Sequence, residues 1–444
     1  MKLSRISRKK AAHAILAWTL SLALAAPAVS TTVFAATEST TQQQTSDTQN
    51  QRPPQPPQGA PSGQPPMGPP PEGSTPPGPP PDGSTPPGPP PDGQMGQPPQ
   101  GGPQQGKSAS ELTATKIVDG ETATLSGETY EATETDANAV FATGETAKVT
   151  AKHLKIHTKN NSSRGLDATY GGTIEAEDVD ITTEGEHCAA LATDRGEGTV
   201  TVHDGTFATS GQGSPNVYST GAISVYDSTG KAMASEIAVV EGKNSIVLDG
   251  VDLTGSKDHG VMLYQSFSGD AGVGEASFSA KDSTLRNLSD GPMFFVTNTK
   301  AKASLTSVEL QQAGSVLVNV AASRWGTTGA NGGDFTLSAR EQVLTGDVKA
   351  DALSSITLQL GDAADYEGAF NADNTAKNAA ITLTSAAKWT LTSDAYVTTI
   401  ADAAKDFENI ASNGHNIYYD ASAATALGGK TYDLPGGGKL LPKA

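Results

Sequence analysis

Apolar residues occur as pairs separated by one residue, and the pairs recur about every 25 residues through most of the chain. The series runs Ala123/Leu125, Ala147/Val149, Ile174/Ala176, Val200/Val202, Ile223/Val225, Ile246/Leu248, Phe278/Ala280, Ala303/Leu305, Phe335/Leu337, Ile356/Leu358 and Ile381/Leu383. Side chains at x and x+2 share one face of a strand, so each pair predicts a short strand with one buried face. A second strand follows several of them, at Leu154/Ile156, Val179/Ile181, Val251/Leu253 and Val308/Leu310. A third closes many repeats, at Leu166/Ala168, Ala190/Ala192, Val261/Leu263, Met293/Phe295 and Leu317. Turn-forming residues lie between, including Asn160-Asn161, Glu184-Gly185, Gly211, Asp258 and Asp290-Gly291. Three short strands per repeat predict an all-β chain, a right-handed parallel β-helix of about eleven coils in which equivalent strands stack. A sandwich would need tight two-residue hairpins, and a propeller blade needs a longer repeat. The unequal intervals suit a solenoid, where added residues bulge from one turn.

Composition narrows the function. The 444 residues hold 30 Lys and Arg against 48 Asp and Glu, a net charge of −18, which repels phosphate backbones and excludes nucleic acid as a natural partner. The single cysteine, Cys188, excludes an intrachain disulfide and a Cys-x-x-Cys metal or redox pair, and it is expected in the core beside Ala189 and Ala190. Residues 1–36 read as a signal peptide. Lys2, Arg5, Arg8, Lys9 and Lys10 precede an apolar core at 15–26, and Val33 and Ala35 flank a cleavage site before Ala36; an uncleaved anchor running to Phe34 is the competing reading. After cleavage no membrane insertion is expected, and the tail at 440–444 carries no LPxTG-type sorting signal. Residues 37–107 form a Pro/Gly/Gln-rich linker in which PPGPPPDGST repeats every ten residues. It has too few aliphatic side chains to offset the entropy of ordering, so a disordered, largely polyproline II segment is expected, serving as a stalk or as a passive linker. The β-helix domain then spans 108–444, with a C-terminal cap from about 395.

The repeats, with segments 163–172 (SRGLDATYGG), 262–266 (MLYQS), 389–393 (WTLTS) and 413–419 (NGHNIYY), resemble bacterial secreted right-handed β-helix proteins of the pectate-lyase-like and adhesin-like kind. The resemblance implies the fold over nearly all of 110–444. It implies little about activity, since one solenoid serves lyases, hydrolases, adhesins and binding modules.

Two intervals are enlarged at the same turn, placing extra residues at 266–274 (SFSGDAGVG) and 323–333 (SRWGTTGANGG). Both loops should emerge along one edge about two coils, or ~10 Å, apart, with the turn Thr297-Asn298-Thr299-Lys300 between them. Trp325 is either a plate on which a sugar ring stacks or a plug against the solenoid. With it, Tyr218, Tyr264, Gln265, Asp270, Asn298, Arg324 and Asn331 make up the candidate carbohydrate-binding set.

A catalytic set is harder to find. β-Helix glycosidases and lyases use clustered acids with Arg, Lys or His partners. Here the nearest match is Asp258-His259-Gly260, no Asp-Asp pair exists, and no catalytic residue is assigned. Asp249, Asp252 and Asp282 lie on neighbouring coils and could meet a Ca²⁺ ion through oxygen ligands; no cofactor is otherwise expected. Residues between the core pairs (Lys148, Glu175, Thr201, Ser224, Val247, Ser279, Ser304, Thr336, Thr357, Thr382) form an outward column rich in hydroxyls. The expected protein is a secreted or cell-surface, adhesin-like solenoid that binds a polysaccharide or a host or cell-surface glycan. The alternative is a lyase or glycoside hydrolase acting on acidic polysaccharide. Oligomeric state is not legible in the sequence.

Overall fold

A computed structural model describes residues 113–443. The segments read as a signal peptide (1–36) and a linker (37–107), residues 108–112 and Ala444 lie outside the described residues. The described chain winds into a parallel β-solenoid of about 13 turns, two more than the apolar pairs suggest. The pair series stops at Leu383, yet Thr399–Asp402 continues the same ladder and later strands form a further four-stranded sheet. At about 4.8 Å per turn the body is roughly 60 Å long.

Each turn contributes strands to three ladders. The first and second belong to one bent 18-stranded sheet, and the third is a 10-stranded sheet. In the first ladder Ile223 sits between Val200 and Ile246, and Val225 between Val202 and Leu248; all six are buried. The second coil is displaced by two residues from the expected pairing, because Ala123 and Leu125 face Val149 and Ala151. A two-residue slip keeps the same face inward, so the core survives it. One-residue slips do not. In the third ladder the inward residues are Leu191 and Thr193, not Ala190/Ala192, and Phe294 and Val296, not Met293/Phe295. The buried runs there extend over both faces, so no alternation marks the inward side. The outward column containing Thr201 likewise runs through Thr150, Ser338 and Gln359 rather than Lys148, Thr336 and Thr357.

The bend between the first and second ladders is a single residue in the left-handed region. Gly127, His153, Asp178, Asp204, Asp227, Gly250, Asp282, Ser307, Glu341 and Ala363 all occupy this position, with φ between 47° and 80°. Stacking of the bends is kept by backbone bonds such as Asp204 N–H to Tyr226 O (3.1 Å) and Asp227 N–H to Asp249 O (3.0 Å). Asp and Gly dominate the column because they tolerate this conformation best. Near the first coils a basic turn lies on an acidic one: Lys148–Glu175 (2.9 Å), Lys152–Glu177 (2.7 Å) and His153–Asp178 (2.7 Å) pair between coils. These are exposed and screened, so they set register more than stability. Cys188 is buried as expected; its Sγ accepts the Ser163 N–H at 3.1 Å, and burial pushes the thiol pKa up. Parallel stacking ends with an antiparallel pair between Tyr432–Asp433 and Lys439–Pro442.

The left-handed column makes a direct prediction. Asp227→Gly should leave thermal unfolding unchanged or slightly raised, whereas Asp227→Val should cost about 1–3 kcal/mol. Equal melting of the two variants would show that the bend is not set by this residue.

Candidate functional site

Both enlarged turns emerge where the third ladder hands over to the first. One leaves Val261–Tyr264 and re-enters at Glu275, and the other leaves Val316–Val320 and re-enters at Asp334. The short turn after Phe294–Thr297 lies between them, as the intervals suggest. Asn298 ties the three together: its Nδ2 donates to Gln265 O (2.8 Å), and its backbone N–H donates to Asn331 O (3.0 Å). A cleft of about 870 Å³ opens between the loops, with Gln265 and Val273 on one wall, Gly329 and Ala330 on the other and Asn298 to Lys300 as its floor. Leu353 and Lys377 extend its rim. Lys300 and Lys302 both contact Glu275, at 3.3 and 2.8 Å, and Asp334, beside Lys300 in the next coil, also lines the cleft.

Trp325 is neither an open plate nor a core plug. It is half-buried, its indole 5.2 Å from the Tyr264 ring and 5.7 Å from Phe267, with the Arg324 guanidinium 4.8 Å above it. The cluster clasps one loop to the other on the side facing the third ladder. Asn331 is buried and braces its own loop, donating to Ser323 O (2.6 Å) and Trp325 O (2.9 Å). Gln265 likewise donates inward, to Ala271 O at 3.2 Å. Of the eight sequence-derived residues, Gln265 and Asn298 line the cleft, Arg324 and Trp325 form the clasp with Tyr264, and Asn331 supports them.

The remaining residues join a polar cluster along the outer side of the third ladder. Tyr218 and Tyr264 both donate their hydroxyls to Glu241, as does Ser266. Burial, reinforced by the Glu241 charge, holds both phenols well above their ordinary pKa. Asp270 bridges the first loop to Arg195 at 2.6 Å. Beside this network lie Arg164 and Asp194, 3.1 Å apart and buried. Asn138 donates to Asp167 at 2.7 Å and accepts the Arg164 backbone N–H at 2.9 Å. Burial pushes Asp167 up to about 7, against the opposing pull of Arg164; Asp194 is raised by the same cause.

The sequence reading missed Asn138, Arg164, Asp167, Asp194 and Glu241. The signal available was a charge set among buried neighbours, as in Leu166-Asp167-Ala168 and Val240-Glu241; segment 163–172 was read for its strand pair Leu166/Ala168 and its resemblance, not for its charges. The other candidate chemistry is differently engaged. Asp249 and Asp282 both approach Lys281 (3.7 and 3.2 Å), and Asp252 pairs with Arg286. Among the described residues no group of three or more His, Cys, Asp or Glu converges as a metal site. Asp258 has φ of 62°, while His259 Nδ1 lies 3.4 Å from Glu236 and its ring stacks on Phe295 at 4.4 Å.

The chain matches no family model, no curated protein and no solved structure. The parallel β-solenoid therefore defines its class. No helix among the described residues is long and apolar enough to cross a membrane.

Asp167 gives a pH prediction. Its folded pKa, about 7, lies above the ordinary carboxyl value of 3.8, so the folded state holds the proton more tightly than the unfolded chain. Its contribution to stability is fully present below about pH 4 and is lost as pH rises through 7. Asp167→Asn, which keeps an acceptor for Asn138, should gain thermal stability relative to the parent at pH 8 and lose that advantage towards pH 4. A difference independent of pH would contradict the assignment.

Proposed function

We propose that the protein is a secreted or cell-surface, adhesin-like β-helix that binds a polysaccharide or a host or cell-surface glycan in the cleft between its two enlarged loops. The observation that carries this reading is the cleft itself. Two loops of separate coils, tied through Asn298, flank an opening with amide and ammonium groups on its floor, Val273 on one wall and Leu353 at its rim. A sugar chain presents hydroxyls at its edges and C–H groups on its ring faces, and such a mixed surface suits both kinds of contact. Ligand groups placed on loops over a stacked scaffold are also where solenoids vary their partners. The leader-like start and the proline-rich segment fit export and display away from a surface, and the pectate-lyase-like and adhesin-like resemblance agrees with this reading.

The alternative, a lyase or glycoside hydrolase acting on acidic polysaccharide, draws on one observation. Asp167 is held near neutrality beside Arg164 and Asp194, the kind of environment a general acid uses. Incubation with polygalacturonate, with and without Ca²⁺, separates the two. Retention without new unsaturated or reducing ends supports binding, and their release would establish turnover.

The cleft is tested on a glycan array. Ala330→Trp, which fills the opening from an exposed loop position, should reduce retention of the preferred glycan about tenfold or more with unchanged thermal unfolding. Trp325→Ala should weaken retention less, by loosening the clasp. Full retention by the filled variant would move the site elsewhere.

A further inference from the structure

The second ladder is interrupted once, and the interruption has a cause in the sequence. At the position following the left-handed bend, a side chain of one coil serves the backbone of the coil before it. Ser228 Oγ accepts the Gly205 N–H at 2.8 Å, and Ser283 Oγ accepts the Val251 N–H at 3.1 Å. The equivalent residue of a later coil is Gln342. Its Oε1 accepts the Val308 N–H at 2.8 Å and its Nε2 donates to Val308 O at 2.7 Å. The amide thus occupies the place of a strand residue. Gln342 is buried, and its side chain, longer than serine, wedges the two coils apart.

Beyond the wedge the strands Glu309–Gln312 and Val343–Thr345 do not pair. The backbone of the first pairs only with the preceding coil, and the second begins a separate four-stranded sheet. Across the gap only side-chain amides reach, Gln342 Nε2 donating to Val343 O (2.8 Å) and Gln312 Nε2 to Thr345 O (3.4 Å), and an incoming strand displaces the latter. Glu309 and Ala313 donate backwards to Ser283 and Asn287, so by alternation the N–H groups of Leu310 and Gln312 point into the opening. On the far side Gly346 donates forwards to Glu367, which turns the N–H groups of Val343 and Thr345 back towards it. The opening, about 880 Å³, is lined by Glu309, Glu341, Asp347 and Glu367, with no Lys, Arg or His. Val343 is 68% exposed at its rim, Leu310 is only partly covered, and Leu344 is buried beside it. The seam is bounded by Ser307 N–H to Glu341 O and Asp347 N–H to Ser315 O.

We propose that this seam is an acceptor for a short extended peptide segment of a partner protein, basic on its outward side chains and apolar on the inward one. Two facing edges with free backbone donors are complemented by a strand, which carries a donor and an acceptor on each side. The stretch Glu309–Gln312 admits about four extended residues, roughly 13 Å. An inward apolar side chain of the segment meets Leu310. Its outward neighbours meet Glu309 and Glu367, since Glu341 already pairs with Arg340 (3.8 Å) and Asp347 with Lys349 (4.0 Å). Charge complementarity at the two carboxylates left unpaired among the described residues selects Lys or Arg. Gln342 holds the seam open before the segment arrives, so the edges do not close on each other.

The experiment uses the full chain and a fluorescein-labelled Lys-Val-Lys-Val-Lys-Val peptide, read by anisotropy and by amide hydrogen exchange. Saturable binding is expected, weakened by salt, with new protection at Leu310, Gln312, Val343 and Thr345. A peptide with its valine nitrogens methylated and one with Glu in place of Lys should each bind about tenfold more weakly or worse. The double variant Glu309→Lys/Glu367→Lys should lose binding while its thermal unfolding stays that of the parent. Absence of binding overturns the proposal, as do equal affinity for the methylated peptide and protection confined to other coils. Undiminished glycan retention by the double variant would keep this seam distinct from the loop cleft.

Discussion

One left-handed residue in each of ten successive coils, from Gly127 to Ala363, stacked above its counterpart in the next, is the constraint on which most of the solenoid depends. The strand before it and the strand after it meet at a single αL residue, so their relative angle repeats from turn to turn. Neighbouring coils then remain in register over the two ladders that flank the bend. The residues in this column pay a conformational cost that is smallest for glycine and modest for aspartate. Where the column holds Glu341 or Ala363, the stacked backbone bonds on either side compel the same geometry.

That regularity decides where function can sit. Inward positions are held mainly by Ile, Val, Leu, Phe and Ala, with polar exceptions such as Thr193, and truncating an apolar one opens a cavity. Outward strand positions are constrained only by pleat and neighbours. Turns are free to lengthen, and two of them do so at equivalent places, which brings Gln265, Asn298 and Ala330 to one cleft although they come from three coils. The polar cluster of Asn138, Arg164, Asp167 and Asp194 follows the same logic along the third ladder, each member supplied by a stacked strand or the turn at its end. The seam at Gln342 is the reverse case: one side chain too long for the stacking breaks a single ladder while its flanking ladders continue.

Much of this was legible in the residues. Pairs such as Ile223/Val225 and Ile246/Leu248 give the strands, their faces and the spacing, and the lengthened intervals locate both loops. What hid the bend is chemistry without a letter code. Histidine, aspartate, serine, glutamate and alanine all appear in the column, and only the stacked backbone makes them equivalent. The third ladder was misread at Ala190/Ala192 because Ala192, pointing outwards, is as buried as Leu191. The charged cluster stayed hidden for a related reason: Arg164 and Asp194 are ion-paired across coils, and nothing in sequence spacing announces that approach. Trp325 was visible as an aromatic in a glycine-rich loop, yet its partners Tyr264 and Phe267 lie on another loop.

The most direct measurement of the stacked-coil account is a spin-label distance between Thr124 and Thr382, each changed to cysteine in a Cys188→Ala background. Both lie on the same outward column, ten coil steps apart through Thr150, Glu175, Thr201, Ser224, Val247, Ser279, Ser304, Ser338 and Gln359. The account predicts a narrow distribution centred near roughly 48 Å, the product of ten steps and the strand spacing. A broad distribution, or one centred well below about 35 Å as two packed sheets would give, would contradict it.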